Sequence, residues 1–281
     1  MGSLAHLGRA ALPSVPGVNL LPGVRKVRPS EFTGVTVRNE PVRIDPAHVA
    51  RYAAVCGFPR KDTVPVTYPH LLTFGAQMEV MASPEFPWAA MGSVHLENTL
   101  TSHRPVAVGE SLGVEVVVEQ TRPHPKGTVV DFVSTLTSGE EVVWESVSSY
   151  LVRGRGQEDA PPGLSFDAPE GRVTWRLDDG LGRRYGRVSG DMNPIHLYPV
   201  TAKALGFKRH IAHGMWTKAR SLAAIENRLS DAVRVEVAFK KPVFLPGSVS
   251  FGVTGDRSEW AFALRRPKDG APHLIGRATA L

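Results

Sequence analysis

Arg184-Tyr185-Gly186-Arg187-Val188-Ser189-Gly190 repeats, in the second half of the chain, the pattern of Arg51-Tyr52-Ala53-Ala54-Val55-Cys56-Gly57 in the first. One short match is weak, but two more follow in the same order. Tyr68-Pro69-His70-Leu71 precedes an apolar helical stretch as Ile211-Ala212-His213-Gly214 does, and Arg104-Pro105-Val106-Ala107-Val108-Gly109 faces Lys241-Pro242-Val243-Phe244-Leu245-Pro246-Gly247. Three matches in register predict two copies of one module. The stretch 153–171 is rich in Gly, Pro and charge, which is linker composition. The expected organisation is an N-terminal arm over 1–30, a module over 31–153, a linker over 154–171 and a second module over 172–281.

Within each copy a helix precedes strands. Met215, Ala219, Leu222 and Ala223 recur at helical spacing, as do Leu71, Phe74, Met78 and Met81. The period then changes to two: Val233, Val235, Val237 and Phe239 alternate with their neighbours, as do Trp260, Phe262 and Leu264, and Val114, Val116 and Val118. The run 141–152 is β-branched and aromatic enough for another strand. The unit is thus one helix with several antiparallel strands, an α+β module. Such a sheet leaves an edge strand open, and pairing two copies edge to edge hides it.

Composition narrows the function classes. With 281 residues, 42% hydrophobic and 21% charged, the chain reads as ordinary globular protein in two domains. Cys56 is the only cysteine, so no intramolecular disulfide forms and a reducing, cytoplasmic setting is expected. No apolar run approaches the roughly 20 residues of a membrane-spanning helix, so no membrane partner is expected. Nor does the N-terminus, broken by Pro13, Pro16 and Pro22, read as a signal peptide. A net charge of +6 suits an anionic partner. The basic residues come as scattered pairs without a long run or aromatic interleaving, which argues against nucleic acid.

The densest polar cluster is Tyr185-Gly186-Arg187-Val188-Ser189-Gly190-Asp191-Met192-Asn193-Pro194-Ile195-His196, read as a turn-rich loop. Gly190 permits unusual backbone angles and Asn193-Pro194 bars a regular helix, so Asp191 and His196 can converge without helical spacing. A converging carboxylate and imidazole can bind one water. Hydrating an enoyl thioester requires a base for that water and an acid for the α-carbon, and one Asp/His pair supplies both. Gly214, directly before an apolar helix, offers an N–H to the developing enolate oxygen.

The stretch 185–215 closely resembles the hydratase 2 motif of the MaoC-like, (R)-specific enoyl-CoA hydratase and dehydratase family. Ser189-Gly190-Asp191, Asn193-Pro194-Ile195-His196, Ala204-Leu205-Gly206-Phe207 and Ile211-Ala212-His213-Gly214-Met215 stand in that family's order and spacing. The resemblance implies a hot-dog fold, a long helix wrapped by a curved antiparallel sheet, and for two copies a double hot-dog. It implies Asp191 and His196 as catalytic dyad, Gly214 as oxyanion donor, Asn193 as the loop-positioning residue, and reversible hydration of trans-2-enoyl to (R)-3-hydroxyacyl thioesters in fatty acyl metabolism. The carrier is coenzyme A or acyl carrier protein, and no cofactor is called for. The first module departs from the motif, with Phe58 at the position of Asp191 and Leu71 at that of Gly214, so it is expected to be non-catalytic. Its shorter segment before Tyr68 is expected to leave room for a longer acyl chain, lined by Phe58, Leu71 and Leu72.

Other residues take supporting roles. Taken alone, Asp191 and His196 read as a turn carboxylate and a core histidine; the full motif reverses that reading. Ser189 lacks a Gly-x-Ser-x-Gly elbow and is expected to bond the loop, with Gly190 turning it. His213 is expected to orient the oxyanion loop or bond backbone, and Tyr185 to pack. His196, His210 and His213 lack a Cys partner and serve chemistry that needs no Lewis acid, so no metal site is expected. Lys208-Arg209 and Lys240-Lys241 suit either solvent or the phosphates of a carrier. Rival readings are a hot-dog thioesterase and a non-catalytic acyl-thioester binding protein. Because one chain already holds two modules, a monomeric pseudo-dimer and a homodimer are both compatible with the sequence.

Overall fold

The computed structural model describes residues 26–89 and 92–281, so most of the expected arm over 1–30 lies outside the described residues. Among the described residues eleven strands form one antiparallel sheet in the order β1-β3-β5-β6-β2-β8-β11-β10-β9-β7, with the short β4 (Thr121–His124) on β5. The first six strands are β1 (Val35–Arg43), β2 (Val94–Ser102), β3 (Ser111–Val118), β4, β5 (Gly127–Ser138) and β6 (Glu141–Arg153). The remaining five are β7 (Val173–Leu177), β8 (Val233–Phe239), β9 (Gly247–Gly255), β10 (Glu259–Arg265) and β11 (Pro272–Ala280). Read inward from either edge, the two halves run in the same sequence order, and they meet where β2 pairs with β8, Glu97 opposite Ala238 through Ser102 opposite Val233. Each half thereby covers an edge that the other leaves open. The strands anticipated from alternation at Val114, Val233 and Trp260, and over 141–152, are β3, β8, β10 and β6.

The helices differ from the expected single long helix per copy. The first half carries α1 (Pro46–Cys56) and α2 (Pro69–Ala82); the second carries α3 (Leu181–Ser189), α4 (Pro199–Ala204) and α5 (Gly214–Ala223). The repeated Arg-Tyr segments end α1 and α3, so 185–189 is helical where a loop was expected. Both helices stop for the same reason. Gly57 and Gly190 take φ of 82° and 80°, the left-handed conformation that glycine adopts without steric cost, and their N–H groups bond Ala53 and Gly186 carbonyls. Asp45 caps the start of α1 by accepting the Ala47 N–H at 2.9 Å. Among the described residues no helix is long and apolar enough to cross a membrane.

The core lies between helices and sheet, with Trp144, Phe132, Leu136, Leu222 and Phe262 fully buried. The segment 154–171 has no regular structure, yet it is packed rather than loose. Leu164, Phe166 and Ala168 lie on Ala238, Ala263 and Ile275 of the second half's strands. The Leu164 N–H donates to Glu97 Oε1 on β2, and Arg265 donates to the carbonyls of Ala168 and Pro169. Side chains of the strands, Glu97, Lys240 and Arg265, bond its backbone groups, while its alternating Leu164, Phe166 and Ala168 pack on strand residues.

Candidate active site

The loop leaving α3 is held by a chain of local bonds. Ser189 Oγ accepts the Asp191 N–H at 3.2 Å, Asp191 Oδ1 accepts the Asn193 N–H at 3.1 Å, and Asn193 Oδ1 accepts the Ile195 N–H at 3.3 Å. Short polar side chains that bond backbone two residues on are built for such turns. Arg183 on α3 adds a guanidinium bond to the Leu197 carbonyl at 2.7 Å. The loop can approach α3 because Gly182 and Gly186 have no side chains. A Cβ on Gly182 would stand 1.9 Å from the His196 carbonyl oxygen, and one on Gly186 would stand 2.9 Å from that of Asp191.

These constraints bring Asp191, His196, His213 and Gly214 together. His196 donates from Nδ1 to the Ile211 carbonyl at 2.9 Å, which leaves Nε2 as a lone pair 3.9 Å from Asp191 Oδ2. That gap is too wide for a direct hydrogen bond and suited to one water touching both. His213 donates from Nε2 to the Asp191 carbonyl at 2.9 Å, and its ring stacks on His196 with centroids 3.7 Å apart. Burial lowers the affinity of both imidazoles for protons, against the pull of the Asp191 charge. For His213, burial and then the neighbouring His196 hold it down to about 3. Two neutral rings can stack where two cations would repel. Gly214 opens α5, where first-turn N–H groups lack intrahelical acceptors, and a Cβ there would press the Phe239 ring at 3.2 Å.

The group heads a cavity of about 810 Å³. One part of its wall is apolar and comes from the first half: Leu71, Phe74, Met78 and Met81 along α2, with Leu96 and Leu151. Lys126, Arg153, Lys240 and Lys241 add positive charge to the lining. Leu71 is placed as expected, but Phe58 and Leu72 do not line this cavity. Phe58 is buried and stacks on Tyr52 at 6.3 Å, and Leu72 packs on the core. The helical turn that ends at Gly57 carries Phe58 into the core.

Ser189, Gly190, Asn193 and His213 all serve the loop geometrically, and Tyr185 packs 4.9 Å from the His213 ring while also lining the cavity. His210 stands apart, bonded to the Asp179 carbonyl at 3.0 Å, so the trio His196, His210 and His213 does not assemble. Asp191, His196 and His213 do bring ligand-type atoms within 4.8 Å of one another, but His213 faces Asp191 with its N–H side, which fits a hydrogen bond and not a metal ligand. Sequence reasoning missed His95, Tyr150 and Phe239, which also line the cavity. The repeat gave a signal for His70, since it pairs that residue with His213.

Comparison with known proteins shows the family of the chain. A family model described as MaoC like domain matches residues 165–259, the segment holding the whole loop. A 3-hydroxyacyl-thioester dehydratase X of Mycobacterium tuberculosis is 40% identical over 99% of this chain and 97% of its own. The chain belongs to the MaoC-like dehydratase family. The crystal structure of HtdX from the same organism superposes with a TM-score of 0.79 at 41% identity, over 88% of this chain and 100% of that one. A double hot-dog protein of Mycobacterium tuberculosis, at 14% identity and a TM-score of 0.57 over 88% of this chain and 96% of that one, shares the fold. The MaoC-like chain described here is a double hot-dog, in which the β2–β8 pairing joins the two halves of one continuous sheet.

Proposed function

We propose that this chain catalyses reversible hydration of trans-2-enoyl thioesters to (R)-3-hydroxyacyl thioesters, a hydro-lyase of fatty acyl metabolism. The observation that carries the reading is the commitment of His196 Nδ1 to Ile211, which turns a bare Nε2 toward Asp191 at the head of the cavity. In hydration the water between the two groups gives a proton to His196 Nε2 as its oxygen bonds the β-carbon. The imidazolium, stabilised by the Asp191 carboxylate, returns that proton to the α-carbon. The thioester oxygen, which gains charge between these events, accepts from the Gly214 N–H. Dehydration runs the same steps backward.

The finer reading divides the labour: a non-catalytic first module over 31–153 supplies the apolar wall, and the second over 172–281 supplies the chemistry. Leu71, Phe74, Met78 and Met81 support an acyl chain longer than four carbons. The lysines and arginine in the lining support an anionic carrier, coenzyme A or acyl carrier protein. Cys56, buried and with its thiol pushed up to about 12 by burial, suits a reducing compartment without requiring one.

The test follows loss of enoyl-CoA absorbance with short and long chains. Asp191→Asn and His196→Ala are each expected to lower turnover by about 10²–10⁴-fold, the usual worth of positioned acid–base groups, and chelation to leave it unchanged. Release of free thiol would favour a thioesterase. Binding without turnover on either carrier would favour a non-catalytic module.

A further inference from the structure

We propose that His48, on α1 of the first half, is a positioning residue for the hydration reaction: by bonding the Val188 carbonyl it fixes the peptide from which the Asp191 loop departs. The inference rests on the hydratase reading above and adds to it a residue from the half that carries none of the proposed chemistry. His48 Nε2 lies 2.7 Å from the Val188 oxygen, 140 residues along the chain. A carbonyl oxygen only accepts, so Nε2 carries the proton, and in the neutral ring Nδ1 is then a lone pair. The Tyr68 hydroxyl lies 2.9 Å from that Nδ1, and burial raises the phenol to about 12, so it keeps a proton to donate. Tyr68 thereby favours the tautomer that the Val188 bond requires.

The bond falls where α3 ends. That helix stops at Gly190, so the Val188 carbonyl has no donor within it. The peptide unit that carries this carbonyl also carries the Ser189 N–H, and the unit is planar and rigid. Ser189 Oγ in turn accepts the Asp191 N–H at 3.2 Å. The path from His48 to the carboxylate therefore runs through one peptide plane and one turn. Asp191 Oδ2 stands 3.9 Å from His196 Nε2, a gap suited to a single water, so the placement of that turn decides whether one water can touch both groups.

The internal repeat supplies the counterpart of this contact. Val55 in α1 occupies the place in the first copy that Val188 occupies in the second, and its carbonyl accepts the Trp216 indole N–H at 3.1 Å. Equivalent carbonyls at the ends of equivalent helices each take an N–H from an aromatic ring of the other half. Trp216 lies two residues after Gly214 in the first turn of α5, and His213 immediately precedes that helix. His213 Nε2 donates to the Asp191 carbonyl at 2.9 Å. The backbone of Asp191 is thus held at its N–H through Ser189 and at its carbonyl through His213, and both supports lead back to α1. His48 and Val188 do not line the cavity, so His48 acts through the loop and not on substrate.

The experiment measures steady-state hydration of trans-2-octenoyl-CoA by the full chain carrying His48→Gln, His48→Asn or His48→Phe. Glutamine places an amide N–H near the position of Nε2, whereas asparagine places one near that of Nδ1. His48→Phe and His48→Asn are expected to lower kcat by about 10–100-fold, since misplacing reacting groups by about 1 Å costs that order, with KM held within about twofold. His48→Gln is expected to retain most of the wild-type kcat. In an Asp191→Asn background, His48→Phe is expected to change the rate by less than about threefold, because the carboxylate it positions is already gone. Equal losses in the glutamine and asparagine variants would overturn the proposal by leaving the Val188 bond without a role. A His48→Phe cost that is the same with and without the Asp191 carboxylate would overturn it too, by assigning His48 to the fold alone. If His48→Phe does not fold, the glutamine and asparagine pair decides the matter by itself. A wild-type chain that hydrates no enoyl thioester fails at the hydratase reading instead, and the positioning role falls with it.

Discussion

His196 and His213 show how hydrogen bonding and burial assign roles to chemically identical side chains. His196 spends Nδ1 on Ile211 and keeps a basic nitrogen for the cavity; His213 spends Nε2 on the Asp191 carbonyl and fixes the carboxylate's backbone. Both stay neutral because burial disfavours the cation. This has a consequence for stability. The unfolded imidazoles titrate near 6.5, whereas folding holds His213 down to about 3 and His70 down to about 4. Above pH 6.5 both states are neutral and the contribution is fully present. As pH falls below 6.5 the unfolded chain takes up protons that the native one refuses, so stability drops progressively toward pH 4. The lowered carboxyls of Glu110 and Asp178, each about 2, begin to act only below about pH 5, so the window from 6.5 to 5 reports the histidines. A melting temperature that falls across that window, and falls less in His213→Gln, is the expected result. A flat profile down to pH 5 would contradict the burial argument.

At the scale of elements, α3 sets the position of the proposed catalytic loop through what it lacks. Gly182 and Gly186, one helical turn apart, let the His196 and Asp191 carbonyls rest on the helix, and any Cβ at Gly182 meets backbone that cannot step aside. Gly182→Ala is therefore expected to cost about 3 kcal/mol, as overpacking against fixed atoms does, and to lower kcat at permissive temperature while KM changes little. Unchanged stability with full activity would show that the loop has slack. This helix also marks the limit of what the sequence made legible. The strands β3, β8 and β10 were plain because large apolar side chains recur at every second position; burial alternates along β3, but runs unbroken through Val235–Ala238 of β8 and Phe262–Leu264 of β10. Asp191, His196 and Gly214 were plain because their residue types recur at fixed spacing in a known motif. The helix was obscured by its glycines, although Leu181, Tyr185 and Val188, all buried, carry a helical stripe. In the linker the Gly and Pro content hid Leu164, Phe166 and Ala168, whose alternation matches their packing on the sheet. His95 and Tyr150 reach the cavity only through tertiary pairing of β2 with β6 and β8, which no local pattern encodes.

For the whole molecule, the seam ties the proposed catalytic groups in one half to a cavity wall in the other. Lys218 lies on α5, one turn after Gly214, and is fully buried; its Nζ donates to Asn98 Oδ1 and to the Asn98 and Val235 carbonyls. Asn98 in turn donates to Ser146 and Ser148 at 2.9 and 3.0 Å, so a buried polar network crosses the junction of β2 and β8. Separating the halves would strand Lys218 in apolar surroundings, open the β8 edge and remove the α2 face of the cavity. Buried donors without acceptors and bare strand edges both favour misfolding or aggregation. A fragment of residues 154–281 holds every proposed catalytic group, yet it is expected to be insoluble or inactive alone and to regain hydratase activity when co-expressed with residues 26–153. Wild-type kcat/KM from the isolated fragment would show that the first half is dispensable. Recovery by the co-expressed pair, lost again when Lys218→Ala is introduced into the second fragment, would locate the dependence in the seam.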